Sequence, residues 1–73
     1  MIASESRTAS INAIRERLEI IQEYLESILL SEEIYASESG GFFHTEKEKA
    51  AYEHLILAAN HIGEIDDAYV KMI

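Results

Sequence analysis

The sequence contains no cysteine and no proline, and only three of its 73 residues are glycine. Without cysteine, the chain can form neither a disulfide nor a thiolate-ligated zinc site. The scarcity of proline and glycine favours long, uninterrupted helices, because these residues are the strongest helix breakers. We expect a single domain spanning 1–73. A domain this small usually needs an additional source of stability, and we expect oligomerisation to supply it.

Basic residues are also scarce. Six Lys and Arg stand against fourteen Asp and Glu, and the net charge is −8. This charge argues against direct nucleic-acid binding and against binding to anionic lipid. No apolar run approaches the roughly 18 residues of a membrane span, and the first residues lack the basic-then-apolar order of a signal peptide. We therefore expect a cytoplasmic protein without membrane contact.

Apolar residues recur in two heptad patterns. The first comprises Ile11, Ile14, Leu18, Ile21, Leu25 and Ile28, and the second comprises Ala51, Leu55, Ala58, Ile62, Ile65, Tyr69 and Met72. Alternating steps of three and four residues predict amphipathic helices that pack through their apolar seams, whereas strands have a period of two. We predict an all-α fold, an antiparallel hairpin with helices at about 7–36 and 45–72 and a loop at 37–44.

Local signals mark the ends of both helices. Ser4, Ser6 or Thr8 can cap the first helix, while Thr45 and Glu48 match the capping-box pattern at the start of the second. The Gly40–Gly41 pair permits a chain reversal. If the chain reverses near residue 40, the numbers of facing residues add up to about 80, and the two predicted seams then face each other along their whole length.

A second apolar row lies beside each seam. Its members are Ile20 and Tyr24 on the first helix and Tyr52, Ile56, Ala59, Gly63 and Val70 on the second. A contact between two helices covers only a narrow stripe, so one hairpin leaves these residues uncovered. We predict that they join two hairpins into a homodimeric four-helix bundle. The alternatives are an interface with a different protein, or apolar side chains that simply remain half-exposed.

Asp66 falls inside the apolar arc of the second helix, and Arg17 falls inside that of the first. A carboxylate in an apolar setting is costly unless it has a partner. We therefore predict a structural ion pair between Arg17 and Asp66, formed within one hairpin or between two. The functional alternative is an acid poised for chemistry or ligand binding.

Histidines and carboxylates form one weak metal-binding pattern. His54 and His61 are one heptad apart, with Glu64 one turn beyond, but the Glu-x-x-His order of di-iron bundles is absent. We expect these residues to lie on the surface, with no metal and no cofactor bound. The chain also shows no nucleophile–base arrangement and no phosphate-binding loop, so we expect no enzymatic activity.

Two surfaces are candidates for binding a protein partner. Glu16, Glu19, Glu23 and Glu26 line the outer side of the first helix as a ridge that is either merely solvated or able to imitate phosphates. Leu30 and Ile34 point away from the seam, close to Phe42 and Phe43 in the loop. We expect the loop aromatics to fold onto Leu30 and Ile34 as a cap. The alternative is an exposed hot spot for a partner.

Together these features predict a small non-enzymatic protein-interaction module: a dimeric regulator, adaptor or inhibitor of another, unknown protein. One alternative is an acidic inhibitor that imitates nucleic acid and blocks a DNA- or RNA-binding protein, as a phage or plasmid would encode. The glutamate ridge would carry that activity. A second alternative is a metal-binding bundle that uses the two histidines and Glu64.

Overall fold

The computed structural model describes residues 4–73, which form two helices, α1 (Glu5–Glu38) and α2 (Glu46–Val70), with no strand in that part of the chain. The helices pack against each other as a hairpin, so the predicted all-helical architecture is confirmed. Each end lies within two residues of its predicted position. Within the described residues, neither helix has an apolar stretch long enough to cross a membrane.

Side-chain caps define where both helices begin. Ser4 caps α1, because its Oγ accepts a hydrogen bond from the backbone N–H of Arg7 at 3.2 Å. Thr45 caps α2, because its Oγ1 accepts from the backbone N–H of Glu48 at 3.1 Å. The Glu48 carboxylate reaches back to the N–H of His44, one residue before the cap, at 3.1 Å. The predicted capping box therefore forms, with its return bond displaced by one residue.

The glycine pair ends α1 and reverses the chain. The N–H of Gly41 donates to the carbonyl of Ala36 at 2.6 Å, and the N–H of Gly40 donates to the carbonyl of Ser37 at 3.2 Å. Both glycines have positive φ angles, 89° and 90°. This is the Schellman arrangement, in which glycine adopts the left-handed conformation that other residues avoid and satisfies the last helical carbonyls.

Contacts near both ends of the hairpin establish its antiparallel register. Arg15 pairs with Asp66 at the open end, with Nε and Oδ1 2.9 Å apart. The Tyr52 hydroxyl donates to Glu33 at 2.9 Å near the loop. The numbers of the first pair add up to one more than the predicted sum of about 80, so the helices face each other at the expected height.

The seam between the helices is only partly the one we predicted, since it retains Ile11, Leu18, Leu25, Leu55, Ile62 and Tyr69 and differs at the other positions. Its more buried positions are Ile11, Arg15, Leu18, Gln22, Leu25, Leu29 and Ala36 on α1 and Tyr52, Leu55, Ala59, Ile62, Asp66 and Tyr69 on α2. By contrast, Ile21, Ile28 and Ile65 remain 44%, 46% and 41% exposed. The prediction that they fill the intrachain contact is therefore wrong. Each apolar arc is wide enough to hold two such rows one residue apart, and the hairpin uses the neighbouring row on both helices.

The hairpin has very little core. In the described part of the chain, Ile11 and Ala36 are the only buried hydrophobic residues, and Ile11 alone is completely covered. Arg15, Gln22 and Asp66 occupy seam positions that apolar residues would otherwise fill. Because hydrophobic burial is the main source of folding stability, this intrachain contact by itself is weak.

Candidate interaction surfaces

Two long faces flank the intrachain seam, one on each side of the hairpin. Glu19 and Glu23 of α1 line a common groove with Gly63 of α2, so these flanks of the two helices share one side. The opposite flanks therefore share the other side. They carry residues that immediately precede seam positions, among them Ile14, Ile21 and Ile28 on α1, and Ala51, Ala58 and Ile65 on α2. We call these six residues the apolar face.

The apolar face consists of four isoleucines and two alanines, spaced seven residues apart on each helix. Ile21, Ile28, Ile65 and Ala51 are exposed, while Ile14 and Ala58 are half-buried against the seam. Exposed apolar side chains that recur on one side of a helix pair are typical of protein–protein contact sites. The sequence identified all six residues as apolar seam positions, but it did not reveal that the hairpin leaves them on the outside.

The opposite side of the hairpin is an acidic groove. It is lined by Asn12, Arg15, Glu16, Leu18, Glu19, Gln22, Glu23, Glu26, Ile62, Gly63 and Asp66. The groove is open at Gly63, where a Cβ would meet no atom within 4 Å. The four glutamates predicted to form a ridge on α1 all line this groove, so α2 supplies its second wall.

Arg15 is the sole cation among the residues that line the groove, and Asp66 binds it. Besides the 2.9 Å contact from Nε, Arg15 Nη2 donates to Asp66 Oδ2 at 3.4 Å. The hydrogen bond that Arg15 donates to Asp66 raises the pKa of the Arg15 guanidinium. The negative charges of Asp66, Asp67 and Glu19 act in the same direction. The arginine charge is thus neutralised locally, which leaves the groove strongly negative.

The partner of Asp66 within the chain is Arg15, so the prediction of an intrachain pair with Arg17 is wrong. Arg17 is exposed. The one-residue displacement of the seam explains the exchange, because it brings Arg15 to the contact and turns Arg17 outward. Asp66 is also less buried than expected, since its side chain is 32% exposed and that of Arg15 is 37% exposed. An ion pair between Arg17 of one hairpin and Asp66 of another stays a prediction.

Gln22 is a seam residue that the sequence analysis missed. Its Oε1 atom is buried and has no hydrogen-bond partner among the described residues. An unsatisfied buried acceptor destabilises the fold. Gln22 lies seven residues after Arg15, so the position of the arginine in the seam also accounts for that of the glutamine.

On α2, the structure separates the residues that we predicted to form a dimer row. Tyr52 and Ala59 lie half-buried in the intrachain seam. Ile56, Gly63 and Val70 follow one another at intervals of seven residues, and Gly63 lines the acidic groove, so these three lie on the groove side. The predicted row is therefore not a single face, because the seam has rotated into part of it.

On α1, the two remaining members of that row lie beside the apolar face. Ile20 and Tyr24 are both exposed, Tyr24 by 69%. Tyr24 is three residues after Ile21 and four residues before Ile28, so it borders the same helical face. These two positions therefore extend the apolar face, whereas their predicted companions on α2 do not.

Among the described residues, His61 is the one histidine whose side chain forms a polar contact. His61 Nδ1 and Glu64 Oε2 lie 3.1 Å apart, and both side chains are exposed. His54 does not join them: within residues 4–73, no group of three His, Cys, Asp or Glu side chains is placed to hold a metal ion. His44 instead contacts the edge of the Tyr35 ring, with centroids 6.2 Å apart. The geometry thus gives no support to a metal-binding bundle.

The loop aromatics do not form the cap that we expected. Phe43 packs against Tyr52 of α2, with ring centroids 5.0 Å apart. Phe42 remains 71% exposed, and Leu30 and Ile34 are also exposed. Stacking on Tyr52 holds Phe43 on the opposite helix, so the expected cap over Leu30 and Ile34 is wrong.

Comparison of the chain with protein-family models, curated proteins and solved structures finds no match. The roles of the two faces therefore follow from the residues that form them.

Proposed function

We propose that this chain is a non-enzymatic protein-interaction module that works as a homodimer, in which two hairpins pack through their apolar faces as a four-helix bundle. The apolar face is the observation that carries this proposal. Its isoleucines are exposed by between 41% and 46% at residues 21, 28 and 65, in a hairpin with only two buried hydrophobic residues among those described. A second copy would provide the core that one copy lacks.

The outline of the hairpin, of which the apolar face is a part, is large enough for such a dimer. The hairpin is about 52 Å long and 16 Å wide, a projected area close to the roughly 800 Å² that each partner contributes to a standard interface. Complete burial of a large apolar side chain is worth about 1.5–3 kcal/mol, and a half-exposed side chain gains about half of that. Because the intrachain contact is weak, these gains couple dimerisation to folding.

The side chains of the face are also complementary in size. The face combines large and small side chains, since its four isoleucines are accompanied by Ala51 and Ala58. A mixture of large and small residues allows facing helices to interdigitate at close spacing.

Matched charge substitutions on the two sides of the hairpin test the proposal. Ile21→Glu places a carboxylate in the apolar face, whereas Ile56→Glu places the same group on the groove side. We expect the unmodified chain to sediment as a dimer whose melting temperature rises with concentration. Ile21→Glu should abolish the dimer, and Ile56→Glu should preserve it.

Two results would contradict this scheme. A folded monomer of the unmodified chain at micromolar concentration would exclude the homodimer. A dimer that survives Ile21→Glu but is lost in Ile56→Glu would move the interface to the groove side, where our sequence-based row placed it.

The acidic groove favours a second candidate function, an inhibitor that imitates nucleic acid. Glu16, Glu19, Glu23 and Glu26 all line the groove. At a rise of about 1.5 Å per residue, their steps of three and four residues space the carboxylates roughly 4.5–6 Å apart along the helix. The groove lies opposite the apolar face, so dimerisation through that face leaves it open.

Competition with DNA tests this second candidate. The dimer should displace a short duplex from a basic DNA-binding protein, less effectively as salt concentration increases. A variant in which all four glutamates are replaced by glutamine should not compete. Equal competition by the glutamine variant would eliminate the glutamate groove as the active surface.

A further inference from the structure

An outer row lies beside the apolar face on each helix, turned further from the intrachain seam. On α1 it comprises Ala13, Arg17, Ile20, Tyr24, Ser27 and Ser31, and on α2 it comprises Ala50, His54, Leu57, His61, Glu64 and Ala68. In a bundle formed through the apolar faces, these rows border the contact between copies. Within these spans and apart from the histidines, each row holds a single charged side chain, Arg17 on α1 and Glu64 on α2. The same spacing continues to Glu38 at the end of α1 and to Lys47 at the start of α2.

Two arrangements of the dimer satisfy two-fold symmetry. If the axis runs parallel to the bundle, both loops lie at the same end, and α1 of each copy packs beside α2 of the other. If the axis runs across the bundle, the loops lie at opposite ends, and each helix packs beside its own counterpart. A rotation about an axis parallel to the bundle does not move a residue along the bundle. In the first arrangement, residues that face each other within one copy therefore also lie at the same height across the contact between copies.

The charges of the outer rows distinguish these arrangements. With a parallel axis, residues of the two copies whose numbers add up to about 80 share a height, which brings Arg17 opposite the His61–Glu64 pair of the other copy. With a transverse axis, Arg17 faces the outer row of a second α1, which contains no acidic residue. Charge complementarity of this kind selects orientation and register between partners.

We propose that the two copies associate around an axis parallel to the bundle, with both loops at one end and Arg17 of each copy paired with Glu64 of the other. This arrangement rests on the proposed homodimer. It gives Arg17 a partner of opposite charge, which it lacks among the ion pairs of the described hairpin. It also places the two acidic grooves on opposite outer sides of the bundle.

Distances between spin labels test the arrangement directly. The chain has no cysteine, so Glu38→Cys gives one labelling site per copy at the loop end of α1. Pulsed electron paramagnetic resonance on the labelled full-length chain should show a distance shorter than about 35 Å, because both labels lie at the same end of a bundle whose diagonal helices are separated by less than two helix diameters. Ser6→Cys, near the opposite end, should likewise give a short distance.

Each outcome discriminates. Distances near 50 Å at both sites, set by the 52 Å length of the hairpin, would overturn the parallel axis and retain the dimer. Absence of any dipolar coupling between copies, with sedimentation as a monomer, would overturn the homodimer itself.

A charge exchange tests the ion pair separately. Arg17→Glu and Glu64→Arg should each weaken dimerisation by about tenfold, and the double exchange should restore it. Lys49→Glu, an equal charge change away from the outer rows, serves as the control and should leave the dimer intact. Failure of the double exchange to restore affinity, with Lys49→Glu neutral, would overturn the Arg17–Glu64 pair.

Discussion

The two sides of this hairpin are built from the same helices and differ in chemistry almost completely. One side presents isoleucine and alanine at intervals of seven residues along each helix, and the other presents four glutamates in a groove that also includes Gly63. The first set lies one residue before the seam positions and the second set one residue after them, so the two are two residue positions apart around the helix. This contrast underlies the proposal that the apolar side joins two copies while the acidic side remains accessible to other molecules.

The seam between the two sides is chemically mixed. It combines Leu18 and Leu25 with the Arg15–Asp66 pair and with Gln22, whose Oε1 lacks a partner in the described structure. Polar groups in a contact this small reduce the gain from burial. The contact that forms the hairpin therefore contributes little stability, and the proposed dimer would supply the rest through the apolar side.

The largest difference between the two sides should appear when one isoleucine of the apolar side is shortened. Ile28→Ala should destabilise the dimer by about 2 kcal/mol per chain, because it removes a side chain from the proposed core. Leu30→Ala, which shortens an exposed residue two positions further along α1, should change stability by less than about 0.5 kcal/mol. Chemical denaturation at fixed concentration measures both, and equal effects would remove the distinction between the two sides.

The next largest effect should come from the ion pair. Asp66→Ala leaves the half-buried Arg15 without its carboxylate partner and should lower the melting temperature, although less than Ile28→Ala does. Glu23→Ala, which removes an exposed groove carboxylate, should have little effect or raise the melting temperature by relieving repulsion with Glu19. Identical melting temperatures for the two variants would mean that the pair contributes nothing to the fold.

Replacing Gln22, whose Oε1 has no hydrogen-bond partner among the described residues, should increase stability rather than reduce it. Gln22→Met preserves the length of the side chain and removes the buried acceptor, so it should stabilise the protein by about 1 kcal/mol. The matched change Gln22→Glu places a charge at the same position and should destabilise it. A loss of stability in the methionine variant would show that the Gln22 amide stabilises the fold, contrary to its lack of a hydrogen-bond partner.

The smallest effect concerns pH. The Tyr52 hydroxyl donates to Glu33, which raises the pKa of Tyr52 above its ordinary value of 10.0. A raised pKa means that the fold favours the protonated phenol, so this contribution is present below pH 10 and is lost as pH rises through the shifted pKa. In an ultraviolet titration the ionisation of Tyr52 should be delayed to a pH above its ordinary pKa, and Tyr52→Phe should remove this late component. A high-pH absorbance profile that Tyr52→Phe leaves unchanged would contradict the contact.

Particular residues show how far the sequence reaches. Thr45, Glu48 and Gly40 predicted the start of α2 and the chain reversal, because caps and turns depend on neighbours within a few residues. The placement of the reversal also predicted the height at which the helices face each other. The exchange of Arg17 for Arg15 as the partner of Asp66 was not predictable in this way, since both arginines lie within the wide arc that the periodicity allowed.

The sequence by itself determined the helices, their caps, the turn and the register, because backbone hydrogen bonds and capping contacts join residues close together in the chain. Only the tertiary structure decided which of two adjacent rows on each helix forms the seam. Those rows share Ile11, Leu18 and Leu25, so the apolar period is satisfied equally well by either rotation. Contacts between residues as far apart as Arg15 and Asp66 select one rotation, and that selection turns Ile21, Ile28 and Ile65 outward.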